Sequence, residues 1–338
     1  MSSLDPISRF LVIFQSIVFE AIPFIVMGAL ISGTLEELLP QQWFARMIPK
    51  RRWLAVLGCT FLGLIFPMCE CGIVVVMRRL LSKGLPLGCA TAYMLAAPIV
   101  NPIVIISTYA AFSGEQRLDK INNEQMTSLR VGGAILVAFT VGMIVNGLAK
   151  RQGTANLVQP IRGVARYHDA SDDAVVTEAA AAPPPTTSPP KTLRQRLWNI
   201  SEVTLHDFVD ITCYLILGAM LAASLQTFRL LELAPGLTSN AVVSILLMMV
   251  VAVVLCLCSE ADAFVAANLP IPVELALSSK LAFLLLGPML DIKLYFMYTR
   301  VFKLRLIWTI IGSVFALVFL FCVAVHYLNQ AAAALPTG

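Results

Sequence analysis

The chain has 338 residues, of which 58% are hydrophobic and only 13% charged, and its mean hydropathy is +0.83. That composition lies outside the range of soluble domains and marks an integral membrane protein. Lys and Arg number 24 against 20 Asp and Glu, an excess that a basic membrane face accounts for, so no nucleic-acid partner is expected.

A transmembrane helix takes about 20 apolar residues. In chain order, full spans are predicted at 11–31, 87–112, 131–149, 205–225, 275–298 and 307–325. Only Arg9 and an early Asp5 precede the first span and no small-residue cleavage site follows it, so it is expected to stay in the protein. Two shorter apolar segments, 54–68 and 242–257, run into Cys69-Glu70-Cys71-Gly72 and Cys258-Ser259-Glu260. Each predicts a re-entrant or broken helical hairpin. Between 151 and 198 the pattern gives way to polar residues, an alanine stretch and prolines 183, 184, 185, 189 and 190, the composition of a flexible linker. Lys150, Arg151, Arg162, Arg166, Lys191, Arg194 and Arg196 place that linker on the cytoplasmic side.

The membrane segments on either side of the linker, 1–150 and 199–338, are duplicates. At a constant offset of 190 residues Glu20 matches Asp210, Phe24 Tyr214, Gly28 Gly218, Glu70 Glu260, Pro98 Pro288 and Asn101 Asp291. The basic residues from Arg46 to Arg52 and at Arg78, Arg79 and Lys83 would lie at cytoplasmic mouths of the first hairpin. No Lys or Arg occurs between Leu230 and Ser279, as an external entry of the second hairpin requires. The expected fold is therefore an all-α polytopic membrane protein of two inverted repeats, each of about three spans plus a hairpin, with both chain ends outside. An eight-span count is the alternative, and it puts Arg46 to Arg52 on the outer face. Internal duplication of this kind is a transporter signature.

Six acids lie in or near apolar sequence: Glu20, Glu70, Asp210, Glu260, Asp262 and Asp291. An ionisable group at the bilayer centre costs about 2.5–3.5 kcal/mol on insertion scales, so such groups face a cavity or a partner. Glu20, Glu70, Asp210, Glu260 and Asp291 are candidates for proton coupling, with a purely structural hydrogen-bonding role as the other reading. Lys293 is expected to pair with Asp291 or Glu260. Pro98 and Pro288 each interrupt a span just before Asn101 and Asp291, where freed backbone can line a binding site or merely kink a helix. Cys69 and Cys71 flank Glu70, and Cys258 precedes Glu260. At an unwound tip these thiols could converge on a soft cargo, or they could simply pack, as buried cysteines often do. Cys59, Cys89, Cys213 and Cys322 read as packing residues.

The stretches Phe66-Pro67-Met68-Cys69-Glu70-Cys71-Gly72, Leu95-Ala96-Ala97-Pro98-Ile99-Val100-Asn101-Pro102, Cys258-Ser259-Glu260-Ala261-Asp262-Ala263-Phe264 and Gly287-Pro288-Met289-Leu290-Asp291-Ile292-Lys293 resemble the bacterial predicted-permease family that includes the ArsP organoarsenical efflux permeases. The resemblance implies an inner-membrane permease, with efflux of trivalent organoarsenicals as the family's best-known activity. The expected substrate site comprises Cys69, Glu70, Cys71, Pro98, Asn101, Cys258, Glu260, Asp262, Pro288, Asp291 and Lys293. No catalytic residue, metal site or cofactor is expected: the chain has no G-x-x-x-x-G-K-[ST] loop, and His168, His206 and His326 are too scattered for zinc. A small-molecule or metalloid substrate, membrane lipid and a homo-oligomer are the expected partners. A membrane-embedded thiol oxidoreductase and a subunit of a larger transport complex are the alternative functions.

Overall fold

The computed structural model describes residues 6–38, 51–66, 68–82, 84–113, 121–159, 193–227, 240–269, 271 and 273–334. Among these the chain is helical, apart from turns and an isolated antiparallel bridge between Val158 and Phe302. The first repeat comprises α1 (Pro6–Leu38), α2 (Arg52–Thr60), α3 (Leu62–Ile65), α4 (Glu70–Ser82), α5 (Leu87–Ala96), α6 (Pro102–Ala111) and α7 (Asn123–Gln152). The second comprises α8 (Leu193–Thr227), α9 (Ala241–Leu255), α10 (Asp262–Asn268), α11 (Val273–Leu286), α12 (Ile292–Thr299) and α13 (Leu304–Ala334). By length and composition Ile7–Ile31, Asn123–Gln152 and Leu304–Ala331 can cross a bilayer, whereas the apolar part of α8 is the shorter Ile211–Ser224.

The duplication is visible in single hydrogen bonds. The Ala96 carbonyl accepts from the Ile99 and Val100 amides at 3.0 and 2.7 Å, and the Leu286 carbonyl accepts from Met289 and Leu290 at 3.0 and 2.8 Å. Both predicted long spans, 87–112 and 275–298, are thus broken at their prolines into α5 and α6, and into α11 and α12. The side chains of Asn101 and Asp291 then cap the second halves, accepting from the Ile103 amide at 3.0 Å and the Leu294 amide at 2.6 Å. Asn and Asp are among the best N-caps because a side-chain oxygen satisfies an otherwise orphaned amide. The constant offset ends there: residues 112–122 join α6 to α7, while only 300–303 join α12 to α13.

The two repeats run in opposite directions. Thr108, near the end of α6, accepts a hydrogen bond from Arg130 in the first turns of α7. The end of α12, by contrast, lies by the far end of α7, where Gln159 donates to the Val301 carbonyl and Lys303 to that of Leu157, at 2.8 and 2.9 Å. α7 has 30 residues and is about 45 Å long, so the matched helices α6 and α12 end at opposite ends of it. Gly133, early in α7, meets Phe321 near the middle of α13, and Arg305 at the start of α13 donates to Gln152 Oε1 at the end of α7 at 3.3 Å, so the matched helices α7 and α13 are antiparallel.

The hairpin tips differ from expectation. The first was expected at Cys69 to Gly72, but Glu70, Cys71 and Gly72 already belong to α4, whose first turn closes with the Ile73 amide on the Cys69 carbonyl at 3.2 Å. An acid is favourable in a helix's first turn, which places the start at Glu70. In the second repeat the turn extends further, and α10 starts at Asp262. Arg78, expected at an aqueous mouth, is buried. The basic positions 46–50 and Lys83, residues 160–192 of the expected linker, residues 228–239, Pro67 and the side chains of Phe24, Arg79, His206 and Asp210 lie outside the described residues.

The matched glycines have a reason. A Cβ on Gly28 of α1 would sit 2.8 Å from the Gly72 carbonyl oxygen in α4, and one on Gly218 of α8 would sit 2.6 Å from the Lys293 Cα in α12. Each long helix therefore presses its backbone on the head of a short helix, the small-residue packing that membrane helices use. Gly28→Ala and Gly218→Ala are each expected to cost about 1–3 kcal/mol through overpacking. Gly312→Ala, which faces open space, should be neutral or stabilising. Thermal unfolding in detergent reads this directly, and equal midpoints for all three variants would contradict the tight contacts.

Candidate functional site

The broken elements meet at their ends, because α4 of the first repeat packs on α12 of the second, and α10 of the second packs on α6 of the first. The head of α12 carries Lys293, 3% exposed. Its ammonium donates to Glu70 Oε1 at 2.9 Å and to the Cys256 carbonyl at 3.1 Å, and lies 3.4 Å from Asp291 Oδ2. Cys256 ends α9 in the left-handed region at φ 47°, ψ 42°. That conformation costs a non-glycine residue of the order of 1–2 kcal/mol. It turns the carbonyl toward Lys293.

A second buried cation makes the reciprocal connection. Arg130 of α7 is 1% exposed. Its Nη2 donates to both carboxylate oxygens of Asp262, at 2.9 and 2.7 Å, and to the Ser259 carbonyl at 3.1 Å. Its Nη1 donates to Thr108 Oγ1 at 2.6 Å. So Glu70, the first residue of α4, is held by a lysine of the second repeat, and Asp262, the first residue of α10, by an arginine of the first. The offset of 190 pairs Glu70 with Glu260, but the structural counterpart is Asp262, since α10 begins two residues later than the offset requires.

The thiols gather beside these pairs. The Cys69 thiol neighbours those of Cys258 and Cys71, so one sulfur from the second tip joins two from the first. All three are buried. Glu70 and Lys293 are electrostatic neighbours of Cys258. A second pair of neighbouring thiols, Cys59 on α2 and Cys89 on α5, is buried, as packing residues are. All eight cysteines are free. No group of three or more His, Cys, Asp or Glu among the described residues is arranged to hold a metal ion.

These contacts test each expected site residue. Cys69, Glu70, Cys71, Cys258, Asp291 and Lys293 come together, while Asp262 is buried with Arg130. Pro98 and Pro288 are buried in the two breaks, and Asn101 caps its helix. The expected pairing of Lys293 with Asp291 is present, but its closer acid is Glu70. Glu260 is half-buried and outside the ion pairs, although its charge is felt from both Glu70 and Glu20. Glu20 itself is exposed on α1.

A family model described as "Predicted permease", ArsP_1, matches residues 7–327. The chain belongs to this predicted-permease family. It is 37% identical over 306 residues to the UPF0718 protein YcgR of Bacillus subtilis (strain 168), covering 90% of this chain and 93% of that one. It is 33% identical over 315 residues to a Streptococcus mutans serotype c (strain ATCC 700610 / UA159) protein called a putative two-component membrane permease complex subunit, covering 93% and 94%. No solved structure matches. The permease is thus a multi-pass α-helical membrane protein.

Arg130 escaped the sequence reading because it stands at the edge of the predicted span 131–149, where a cation usually marks a membrane boundary. Arg130→Met is expected to cost about 3–5 kcal/mol, because it leaves Asp262 charged, buried and unpaired. Adding Asp262→Leu should recover most of that loss, measured as the folded fraction after heating in detergent. An equal loss in the double variant would show that the pair is not what holds α10.

Proposed function

We propose that the permease exports a small thiophilic solute, best matched by trivalent organoarsenicals, across the bacterial inner membrane by alternating access of its two repeats. The linker lies in the cytoplasm and the buried acids couple export to protons. The observation that supports this most is the meeting of the two tips, which sets Cys69 against both Cys71 and Cys258 beside a buried charge network. Trivalent arsenic bearing one organic group has two exchangeable positions. A dihydroxy arsenical and two thiols give the dithiolate and two waters, so binding changes neither charge nor oxidation state.

Cys69 takes part in two possible dithiol pairs, one within the first repeat and one across the repeats. Cargo held by Cys69 and Cys71 can pass to Cys69 and Cys258 by exchange of one As–S bond, and relative movement of the repeats then changes which side it faces. Soft sulfur ligands favour such cargo over hard cations. A second reading, a membrane subunit of a larger transport complex, is favoured by the designation of the Streptococcus mutans relative, and the thiol site is compatible with it.

Uptake of phenylarsine oxide into everted vesicles tests the assignment. Cys69→Ser should reduce uptake about tenfold or more at unchanged expression, Cys71→Ser and Cys258→Ser should each reduce it less, and Cys59→Ser with Cys89→Ser should leave it unchanged. Full activity in a Cys69→Ser, Cys71→Ser, Cys258→Ser variant would remove the thiols from the transport site. Loss only in the Cys59 and Cys89 variants would move the site to that pair.

A further inference from the structure

We propose that Asp291 Oδ2 is the coupling-ion site and that the ion is a single proton, exchanged once per transport cycle. Its role in transport rests on the permease reading above, but its chemistry rests on its own surroundings.

Arg130 and Asp262 balance one another, whereas Lys293 faces two acids, Glu70 and Asp291, all three at most 3% exposed. With both acids ionised the cluster carries one uncompensated negative charge. An unpaired buried charge costs several kcal/mol, so the cluster takes up one positive charge to balance it. The first repeat, with Asn101 and Ile103 at the positions that match Asp291 and Lys293, carries neither charge.

Geometry then selects the oxygen. Asp291 Oδ1 is used by the helix cap, accepting from the Leu294 amide at 2.6 Å. Oδ2 makes no hydrogen bond within the protein, and Lys293 stands 3.4 Å from it. A proton can therefore enter and leave Oδ2 without disturbing the cap. Glu70 Oε2 is likewise without a hydrogen bond, so the choice between the two acids falls to Lys293, whose ammonium lies closer to Glu70, at 2.9 Å from Oε1, than to Asp291, at 3.4 Å from Oδ2, and so holds Glu70 more firmly as the carboxylate. Lys293 and Tyr298 on α12, Glu70 on α4 and Cys256 at the end of α9 face Asp291, and Lys293 is the cation among them. None of the others supplies a second positive charge.

A metal cation is a poor fit for the same place. Hard cations take several oxygen ligands, no such cluster is present among the described residues, and the Lys293 ammonium would repel one at close range. A proton needs a single lone pair. The cycle is then Asp291 carboxylic acid giving carboxylate plus a proton released on one side, and recovering a proton from the other.

Asp291→Asn is the decisive variant, because Asn101 shows that asparagine makes this same cap. Infrared difference spectra of the purified protein in lipid vesicles, recorded across a pH titration, should show a carboxylic-acid C=O band that disappears at high pH and is absent from Asp291→Asn. A band kept in Asp291→Asn but lost in Glu70→Gln would overturn the assignment. In everted vesicles with an interior about one pH unit more acidic and the membrane potential clamped, one proton per neutral cargo drives about tenfold accumulation of phenylarsine oxide. Asp291→Asn should fall to about onefold. Accumulation of about a hundredfold in the wild type, or equal accumulation in the variant, would overturn the one-proton site. If the wild type moves no arsenical, the cargo reading fails by itself, and the infrared band still decides the proton site.

Discussion

A lysine ammonium shut away from water has to be matched on every side, and the core of this permease is arranged around meeting that demand at Lys293. Burial of an unpaired ammonium costs several kcal/mol even after relaxation, more than an ordinary helix contact returns. Three separate chain segments answer it: Glu70 at the start of α4, Asp291 at the cap of its own helix, and the Cys256 carbonyl at the end of α9. Each fixes something else. Glu70 sets where α4 begins, the Cys256 carbonyl requires a left-handed residue, and the position of the α12 head leaves room only for glycine at 218. Buried ion pairs seldom add net stability over a well-packed apolar core. Here they specify one arrangement of backbone ends that apolar packing alone would leave free to slide.

The exchange of cations between the repeats follows from the same demand. Each tip presents an acid in the first turn of the next helix, where the helix's partial positive charge favours it. Each acid is met by a cation of the other repeat, Lys293 for Glu70 and Arg130 for Asp262. Arg130 and Lys293 also donate to the Ser259 and Cys256 carbonyls, so backbone groups released by the broken helices find partners inside the protein. Any displacement of one repeat against the other strains both ties at once. In a permease built this way, the ties hold a resting arrangement, and a cargo or ion that weakens one of them changes its stability.

Much of this was legible in the sequence because charge and proline are so sparse in apolar runs. The matched breaks at Pro98 and Pro288 and the opposed directions of the repeats follow from the 190-residue offset and the distribution of basic residues, whereas the caps made by Asn101 and Asp291 came only with the structure. What stayed hidden depends on partners far apart in the chain. The offset makes Glu260 the twin of Glu70, yet the second tip takes a longer turn before its helix starts, and Asp262 inherits the paired position. Arg130 stands where a cation normally marks the membrane surface, and only its contacts with Thr108, Ser259 and Asp262 show that it is buried. The neighbourhood of Cys69 and Cys258 could not be read from spacing, because 189 residues separate them.

The duplication is close in backbone and unequal in charge. Two copies of one fold placed head to tail give matched breaks and matched caps, and a fully symmetric protein would carry the same charges in both. The caps differ by a single atom type: Asn101 and Asp291 both satisfy a helix amide through one side-chain oxygen, but the remaining position is an amide nitrogen in one and a carboxylate oxygen in the other. That substitution leaves the helix start intact on either side. It therefore adds a charge without altering the scaffold, and it does so beside Lys293, which the first repeat lacks at the matching Ile103. Charge asymmetry on a symmetric backbone lets the two facing states share nearly the same packing while differing in electrostatic energy. A coupled transporter needs that combination, because an ion can bias only states that it distinguishes.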